Sequence, residues 1–240
     1  MICRVLPRLL LALSLLAPAS FLPGSIPLAA AADGSAALAQ RPGQAAIASA
    51  HRLATDAGFE VLDQGGNAFD AAVAVSAALS VVEPISSGLG GGGFFLLHQA
   101  GQGGAGGRDV FIDAREAAPA AATADRYRTA DGKLDSDLAE NGPWAAAIPG
   151  LPAGLVHVAG KYGRLPLSTS LAPAIRLARD GFPVYAKLER GYAARREVME
   201  RFSGTRAVFL SNGQPPKEGQ LLKQPDLART LERLAAHGFD

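Results

Sequence analysis

Apolar and polar positions along the chain predict a pair of helices, a pair of strands and then a series of helices. Leu53, Ala57 and Val61 recur every four positions, which predicts a helix from about Leu53 to Gln64 with one apolar face. The next segment, Ala68 to Val82, is small or apolar on every side, so it predicts a helix buried on most of its faces. Further along, the pattern predicts strands at Phe94–His98 and Val110–Ala114, short helix and turn within Ala120–Lys133, and helices ending near Tyr162, at Leu171–Asp180, at Ala186–Arg201 and at Leu227–Ala236.

Glycine, asparagine and proline mark the ends of the first two helices. Gly65 and Gly66 end the first helix, and Asn67 can cap the second, with Asp70 in its favourable first turn. Pro84 ends the second helix, because the residue before a proline avoids the helical region. The resulting order of elements predicts a layered α+β fold.

Four consecutive glycines, Gly90 to Gly93, separate the second helix from the first strand. Each glycine costs backbone entropy, so such a run is expected where the chain bends or is approached too closely for a Cβ atom. The returning strand leads to Arg115, which has Asp113 and Glu116 as carboxylate neighbours. If the strand continues to Arg115, this side chain shares a face with Asp113 and Phe111. A guanidinium group there can hold a carboxylate by two parallel hydrogen bonds, which makes Arg115 a candidate ligand for an anionic small molecule.

Both features also have simpler interpretations. Arg115 can form a surface salt bridge with Asp113 or Glu116, and the glycines can form a purely structural turn. Residues Gly88–Gly93 fit the spacing G-x-G-x-x-G, but a dinucleotide-binding motif follows a strand and opens a helix, whereas here a helix precedes the glycines. The sequence also has no G-K-[ST] triplet, which excludes a P-loop. A nucleotide-binding module is therefore disfavoured.

Composition narrows the possible functions. The chain has 240 residues, enough for one large domain or two small ones. With 23 basic and 22 acidic residues it has no basic excess, which argues against a nucleic-acid partner. Its four histidines are scattered without metal-ligand spacing, and its single cysteine is Cys3. We expect no metal site, disulfide or thiol nucleophile in a mature protein that has lost this cysteine.

Residues 1–39 are expected to form a signal peptide and flexible lead-in, and residues 40–240 the folded part. Arg4 and Arg8 precede a short apolar run from Leu9 to Ala17, and small residues that suit signal cleavage follow it. The run is too short to span a bilayer, so we expect an exported protein, periplasmic or secreted, with no membrane span. The alternative is an uncleaved membrane anchor.

Several longer motifs follow one another along the chain: Ala54–Gly58, Gly65–Ala71, Val81–Pro84, Ser87–Phe94, Asp113–Pro119 and Ile148–Gly150. In this order they resemble the motifs of gamma-glutamyltranspeptidases. The resemblance runs from about Ala46 to the end of the chain. So many motifs in one order make the resemblance specific.

The resemblance implies an N-terminal-nucleophile hydrolase, a four-layer αββα sandwich whose precursor cuts itself into a large and a small subunit. In such enzymes the new N-terminal threonine of the small subunit attacks a gamma-glutamyl amide, typically that of glutathione. The glutamyl group then passes to water, an amino acid or a peptide. No metal or organic cofactor is implied. Arg115 matches the family arginine that binds the α-carboxylate of the substrate.

The sequence departs from the family at the nucleophile. None of its six threonines lies in a Thr-Thr-His-like segment, with which the small subunit begins in the family. We therefore expect the N-terminal part of the large subunit, inactive alone, with the nucleophile beyond Asp240. The alternative is a non-catalytic exported binding or scaffold protein. Because its central sheets would be incomplete, we also expect the apolar second helix to be poorly buried and the chain to aggregate or be degraded.

Overall fold

The computed structural model describes residues 45–101 and 106–238 of the chain. The predicted signal peptide, Cys3 and the boundary at residues 39 and 40 lie outside these ranges, so they stay predictions. From Ile47 onward the described residues form one compact unit. Its elements are α1 (Arg52–Asp63), α2 (Ala68–Val82), β1 (Gly93–Gln99), β2 (Arg108–Ala114), a 3-10 turn (Ala124–Tyr127), α3 (Ser136–Glu140), α4 (Leu151–Tyr162), α5 (Leu167–Asp180), β3 (Phe182–Pro183), α6 (Ala186–Arg201), α7 (Ser203–Phe209), β4 (Leu221–Leu222) and α8 (Pro225–His237).

The predicted boundaries of the first two helices are confirmed. After α1 the backbone turns at Gly65, whose φ of 89° favours a residue without a Cβ atom. The Asn67 side chain accepts the N–H groups of Phe69 and Asp70 at 2.8 and 3.0 Å. The Asp70 carboxylate in turn accepts the Asn67 N–H at 2.8 Å. This reciprocal capping box fixes the start of α2.

Helix α2 lies at the centre of the core, so the expectation of poor burial is wrong. α1, α4 and α5 all pack against it. The side chains of Val73, Ala77 and Val81 are fully buried. The small side chains of α2 let neighbouring helices approach on several sides. These helices bury the apolar surface of α2 that we expected a larger sheet to bury. The apolar helix therefore gives no reason for the chain to aggregate.

The exposed apolar surface lies on the hairpin formed by β1 and β2, which pair antiparallel. Because side chains alternate along a strand, the hairpin has two different faces. The inward face, which packs near α4, carries the cross-strand pairs Phe95–Ile112 and Leu97–Val110. The outward face carries three apolar side chains that are more than half exposed, Phe94, Leu96 and Phe111.

The remaining differences from the prediction concern short elements and one helix start. α5 begins at Leu167 rather than Leu171. The pattern did not predict its first turn, because that turn is polar apart from Leu167 and shows no apolar period. The pattern does not predict α3, α7 or the two-residue strands β3 and β4, which are too short to show a period. The observed mixture of helices and small antiparallel sheets confirms the predicted α+β class. Within the described ranges, no helix combines the length and apolarity needed to cross a membrane.

Candidate functional site at the glycine turn

The end of α2 leads through two tight turns into β1. The Glu83 carbonyl oxygen accepts the N–H groups of Ser86 and Ser87 at 2.9 and 2.8 Å, and the Gly91 N–H donates to the Gly88 carbonyl at 3.1 Å. We call residues 86–93 the glycine turn. Because this turn follows a helix and precedes a strand, the argument against a dinucleotide-binding motif is confirmed.

The glycine turn also caps helix α4. The first N–H groups of a helix have no partner within the helix, and α4 has no side-chain cap. The Gly91 carbonyl oxygen instead accepts the N–H groups of Gly150 and Leu151 at 3.1 and 3.0 Å. The turn and the start of α4 therefore hold each other in place.

Two glycines enclose the backbone of Arg115. A Cβ atom added to Gly92 would lie 2.7 Å from the Arg115 Cα atom and 2.5 Å from the Glu116 nitrogen. A Cβ atom added to Gly150 would likewise lie 2.5 Å from the Arg115 carbonyl oxygen. Real Cβ atoms do not approach backbone atoms so closely, so glycine is required at both positions. The close packing fixes the backbone that carries the guanidinium group.

The Arg115 side chain is exposed, one residue beyond the end of β2. Asp113 is exposed and Ile112 half-buried, as the alternation predicts. The Asp113 carboxylate accepts the backbone N–H of Arg115 at 2.9 Å rather than pairing with its guanidinium group. Among the described residues, neither Asp113 nor Glu116 forms an ion pair with Arg115. The guanidinium group can therefore bind a carboxylate ligand by two parallel hydrogen bonds.

Space is open on another side of the glycine turn. A Cβ atom added to Gly90 would meet no atom within 4 Å, and the φ of Gly90 does not favour glycine. A cavity of about 300 Å³ lies there, between the turn, the end of α2, the end of α7 and the start of α8. Its lining includes Ser87, Gly88, Gly90, Phe209 and Leu227. Steric crowding therefore explains the glycine at position 92 but not the one at position 90.

This difference gives a stability prediction. We expect Gly92→Ala to lower the free energy of unfolding by about 1–3 kcal/mol, because the new methyl group must displace backbone atoms of Arg115 and Glu116. Gly90→Ala is the matched control and should leave stability unchanged or raise it by about 0.4–1 kcal/mol, since it restricts the unfolded chain. Urea unfolding of both variants, followed by circular dichroism, measures the difference. Equal stabilities would contradict the close packing at Gly92.

Sequence reasoning missed two features of this site. The close approach of Gly150 to Arg115 and the ion pair between Glu83 and Lys187 join residues far apart in the sequence. The Ile148–Gly150 motif was the one available sign of the first, because it places a glycine in a tight bend that opens a helix. Within residues 45–101 and 106–238, no three His, Cys, Asp or Glu side chains are grouped as a metal site requires.

Comparison with known proteins supports the resemblance. The family described as Gamma-glutamyltranspeptidase matches residues 54–240. The chain is 40% identical to the glutathione hydrolase proenzyme of Escherichia coli over 203 residues. This aligned region covers 83% of this chain and 34% of that protein. It is also 40% identical to the glutathione hydrolase proenzyme of Bacillus subtilis, over 81% of this chain and 32% of that protein. The chain thus spans about a third of the length of these curated relatives.

A solved structure gives the same result. The gamma-glutamyltranspeptidase of Helicobacter pylori superimposes with a TM-score of 0.74 at 38% identity, over 80% of this chain and 54% of that one. This likeness confirms the predicted fold class, the helix-rich part of an N-terminal-nucleophile hydrolase. The family match, over residues 54–240, includes the glycine turn, Arg115 and the start of α4. The chain therefore belongs to the gamma-glutamyltranspeptidase family.

Proposed function

We propose that this chain is the N-terminal part of the large subunit of an exported enzyme that transfers or hydrolyses gamma-glutamyl groups. The substrates are glutathione and related gamma-glutamyl compounds, and the acceptors are water, amino acids or peptides. In this proposal Arg115 binds the α-carboxylate of the gamma-glutamyl group. The observation that supports it best is an exposed guanidinium group without an ion-pair partner among the described residues, on a backbone enclosed by Gly92 and Gly150.

The physical argument is one of preorganisation. A substrate carboxylate that meets a fixed guanidinium group forms two charge-assisted hydrogen bonds without first breaking a salt bridge. The close packing at Gly92 and Gly150 prevents the Arg115 backbone from shifting when the ligand arrives. Binding at this end of the substrate holds the gamma-carbonyl carbon at a fixed distance, where a nucleophile can reach it.

The chemical step needs a threonine that these 240 residues do not supply in the expected Thr-Thr-His-like segment. We propose that it comes from a small subunit of the same precursor. Its hydroxyl oxygen attacks the gamma-carbonyl carbon while its own α-amine takes the proton, and the amide nitrogen leaves with a proton. The resulting ester then reacts with water or an amine, which restores the hydroxyl group. This sequence uses no metal or organic cofactor.

The outward face of the hairpin is the surface that we propose the small subunit covers. Phe94 and Phe111 stack on this face with ring centroids 5.5 Å apart, and Leu96 beside them is 77% exposed. A contiguous apolar patch of this kind marks a contact with another element or chain. Arg115 directly follows β2, the strand that carries Phe111, so a partner on this face would bring its residues close to the guanidinium group.

A hybrid precursor tests the proposed activity. In it, this chain replaces the segment of the Escherichia coli proenzyme that it matches. We expect the hybrid to cut itself and to release product from a gamma-glutamyl anilide, whereas this chain alone releases none because it lacks the nucleophile. A processed hybrid without activity would favour the alternative of a non-catalytic binding or scaffold protein. Activity of the chain alone would contradict the assignment of the nucleophile to the small subunit.

Export gives a separate prediction. We expect the mature N-terminus to lie between Ser20 and Gln40, because Arg4, Arg8 and the run from Leu9 to Ala17 have the pattern of a signal peptide. Mass spectrometry of the protein from its native host measures the N-terminus. A mature protein that retains residues 1–19 would count against cleavage. Acidic residues in place of Arg4 and Arg8 should impair export, and unaffected export would contradict the role of these charges.

A further inference from the structure

A buried carboxylate lies where α2 meets the glycine turn. The Glu83 side chain is 4% exposed. A charge removed from water in this way needs a compensating partner, since an unpaired buried charge is strongly destabilising. Among the described residues, its ion-pair partner is Lys187 in the first turn of α6, with Nζ 3.3 Å from the Glu83 Oε2 atom. The pair therefore joins α6 to the end of α2, directly before the turn.

The other groups that face Glu83 are a tyrosine and a histidine. The Tyr185 hydroxyl donates to the Val82 carbonyl at 3.2 Å, and its ring lies 5.0 Å from the ring of His51. Burial, with Glu83 adding to it, raises the pKa of Tyr185 and keeps its hydroxyl protonated. Burial lowers the pKa of His51, although the charges of Glu83 and Asp56 oppose this shift. Of these three neighbours, Lys187 is the one that forms an ion pair with the Glu83 carboxylate.

Glu83 is connected to Arg115 through the glycine turn. Its carbonyl oxygen holds the N–H groups of Ser86 and Ser87, which form the first bend of the turn. Five residues later Gly92 packs against the Arg115 Cα atom. The position of the Glu83 backbone therefore sets where the turn begins. A shift of the turn would move Gly92 and, through its close contact, the backbone of Arg115.

We infer that the ion pair between Lys187 and Glu83 is a positioning device, which holds the glycine turn against Arg115 and thereby sets the affinity for the substrate carboxylate. Only the second half of this inference, the effect on substrate affinity, rests on the proposed function. The ion pair joins Lys187 to Glu83, which is neither Arg115 nor a residue of the turn. Loss of the pair should therefore loosen the turn and weaken substrate binding, while the chemistry at the threonine proceeds.

Amide hydrogen exchange of this chain tests the first half. Lys187→Met keeps the aliphatic stem but removes the charge. It should speed exchange at Ser86 and Ser87 about tenfold or more, and by more than at the core amides of α2, which exchange through global unfolding. Lys217→Met is the matched control. Lys217 pairs at 3.2 Å with Glu189, which lies in α6 as Lys187 does, but the Glu189 side chain is 28% exposed whereas that of Glu83 is 4% exposed. Unchanged exchange at Ser86 and Ser87, or an equal rise at every amide, would overturn the positioning role.

Kinetics of the hybrid precursor test the second half. We expect Lys187→Met to raise KM about tenfold, equivalent to about 1.4 kcal/mol, with kcat nearly unchanged. Lys187→Arg should restore KM, and Lys217→Met should match the wild type. A normal KM in Lys187→Met, or a lower kcat with normal KM, would overturn the inference. An unsubstituted hybrid without activity would refute the proposed function, and the exchange measurement would then decide on the turn by itself.

Discussion

Replacing Asp70 by alanine should lower the free energy of unfolding by about 3–5 kcal/mol, a large effect for one substitution. The Asp70 side chain is fully buried and accepts hydrogen bonds from three backbone N–H groups. The donors are Asn67 at 2.8 Å, Arg164 at 2.9 Å and Leu165 at 3.3 Å. Each buried N–H group left without a partner costs about 1–3 kcal/mol.

The size of this effect follows from the position of Asp70. One carboxylate caps the start of α2 and also holds the loop between α4 and α5, nearly a hundred residues later in the sequence. The Asn67 side chain adds a bond of 2.7 Å to the Tyr162 carbonyl at the end of α4. Removing Asp70 therefore weakens both a helix cap and the packing of α4 and α5 beside the central helix.

Equilibrium urea unfolding of this chain, followed by its helical circular dichroism, measures the loss. The control is Asp63→Ala, which removes an exposed carboxylate from the last turn of α1. A negative charge at the C-terminal end of a helix is unfavourable, so this substitution should be neutral or slightly stabilising. Similar losses in both variants would mean that the hydrogen bonds to Arg164 and Leu165 contribute little.

Local signals in the sequence were sufficient for the helix boundaries near the site. Asn67 and Asp70 form their capping box within four residues, and Gly65 ends α1 through its own backbone conformation. Such features depend on neighbours in the sequence alone. Alternation along β2 likewise predicted that Asp113 and Phe111 share a face, and both are exposed in the structure.

Contacts between distant segments could not be predicted in the same way. The sequence showed that α2 is apolar all round, but not that α1, α4 and α5 would cover it, and this produced the wrong expectation of poor burial. The second role of Asp70 and the enclosure of Arg115 by Gly92 and Gly150 are also invisible locally. Which helix lies against which is decided by the fold of the whole unit.

The same distinction applies to the candidate site. The run of glycines and the arginine between carboxylates identified the two parts of the site in the sequence. Four adjacent glycines look alike in a sequence, and the structure shows different surroundings for Gly90 and Gly92. It likewise shows that Asp113 binds the backbone of Arg115 and leaves the guanidinium group without an ion pair among the described residues.

Arg115→Lys in the hybrid precursor should raise KM for gamma-glutamyl substrates about ten- to a hundredfold. Lysine keeps the charge but loses the planar fork, so a paired contact with the α-carboxylate becomes a single one. A hydrogen bond to a charged group contributes about 1.5–3 kcal/mol, which corresponds to this range. Self-cleavage of the precursor should proceed normally, because it does not involve the free α-carboxylate of a substrate.

Steady-state kinetics and the subunit pattern on a denaturing gel separate these two effects. Arg108→Lys is the matched control, because Arg108 is an exposed arginine at the opposite end of the same strand. It should leave both KM and processing unchanged, which shows that a lysine on β2 is not harmful in itself. A nearly unaltered kcat/KM in a correctly processed Arg115→Lys enzyme would instead mean that the guanidinium group of Arg115 does not bind the substrate.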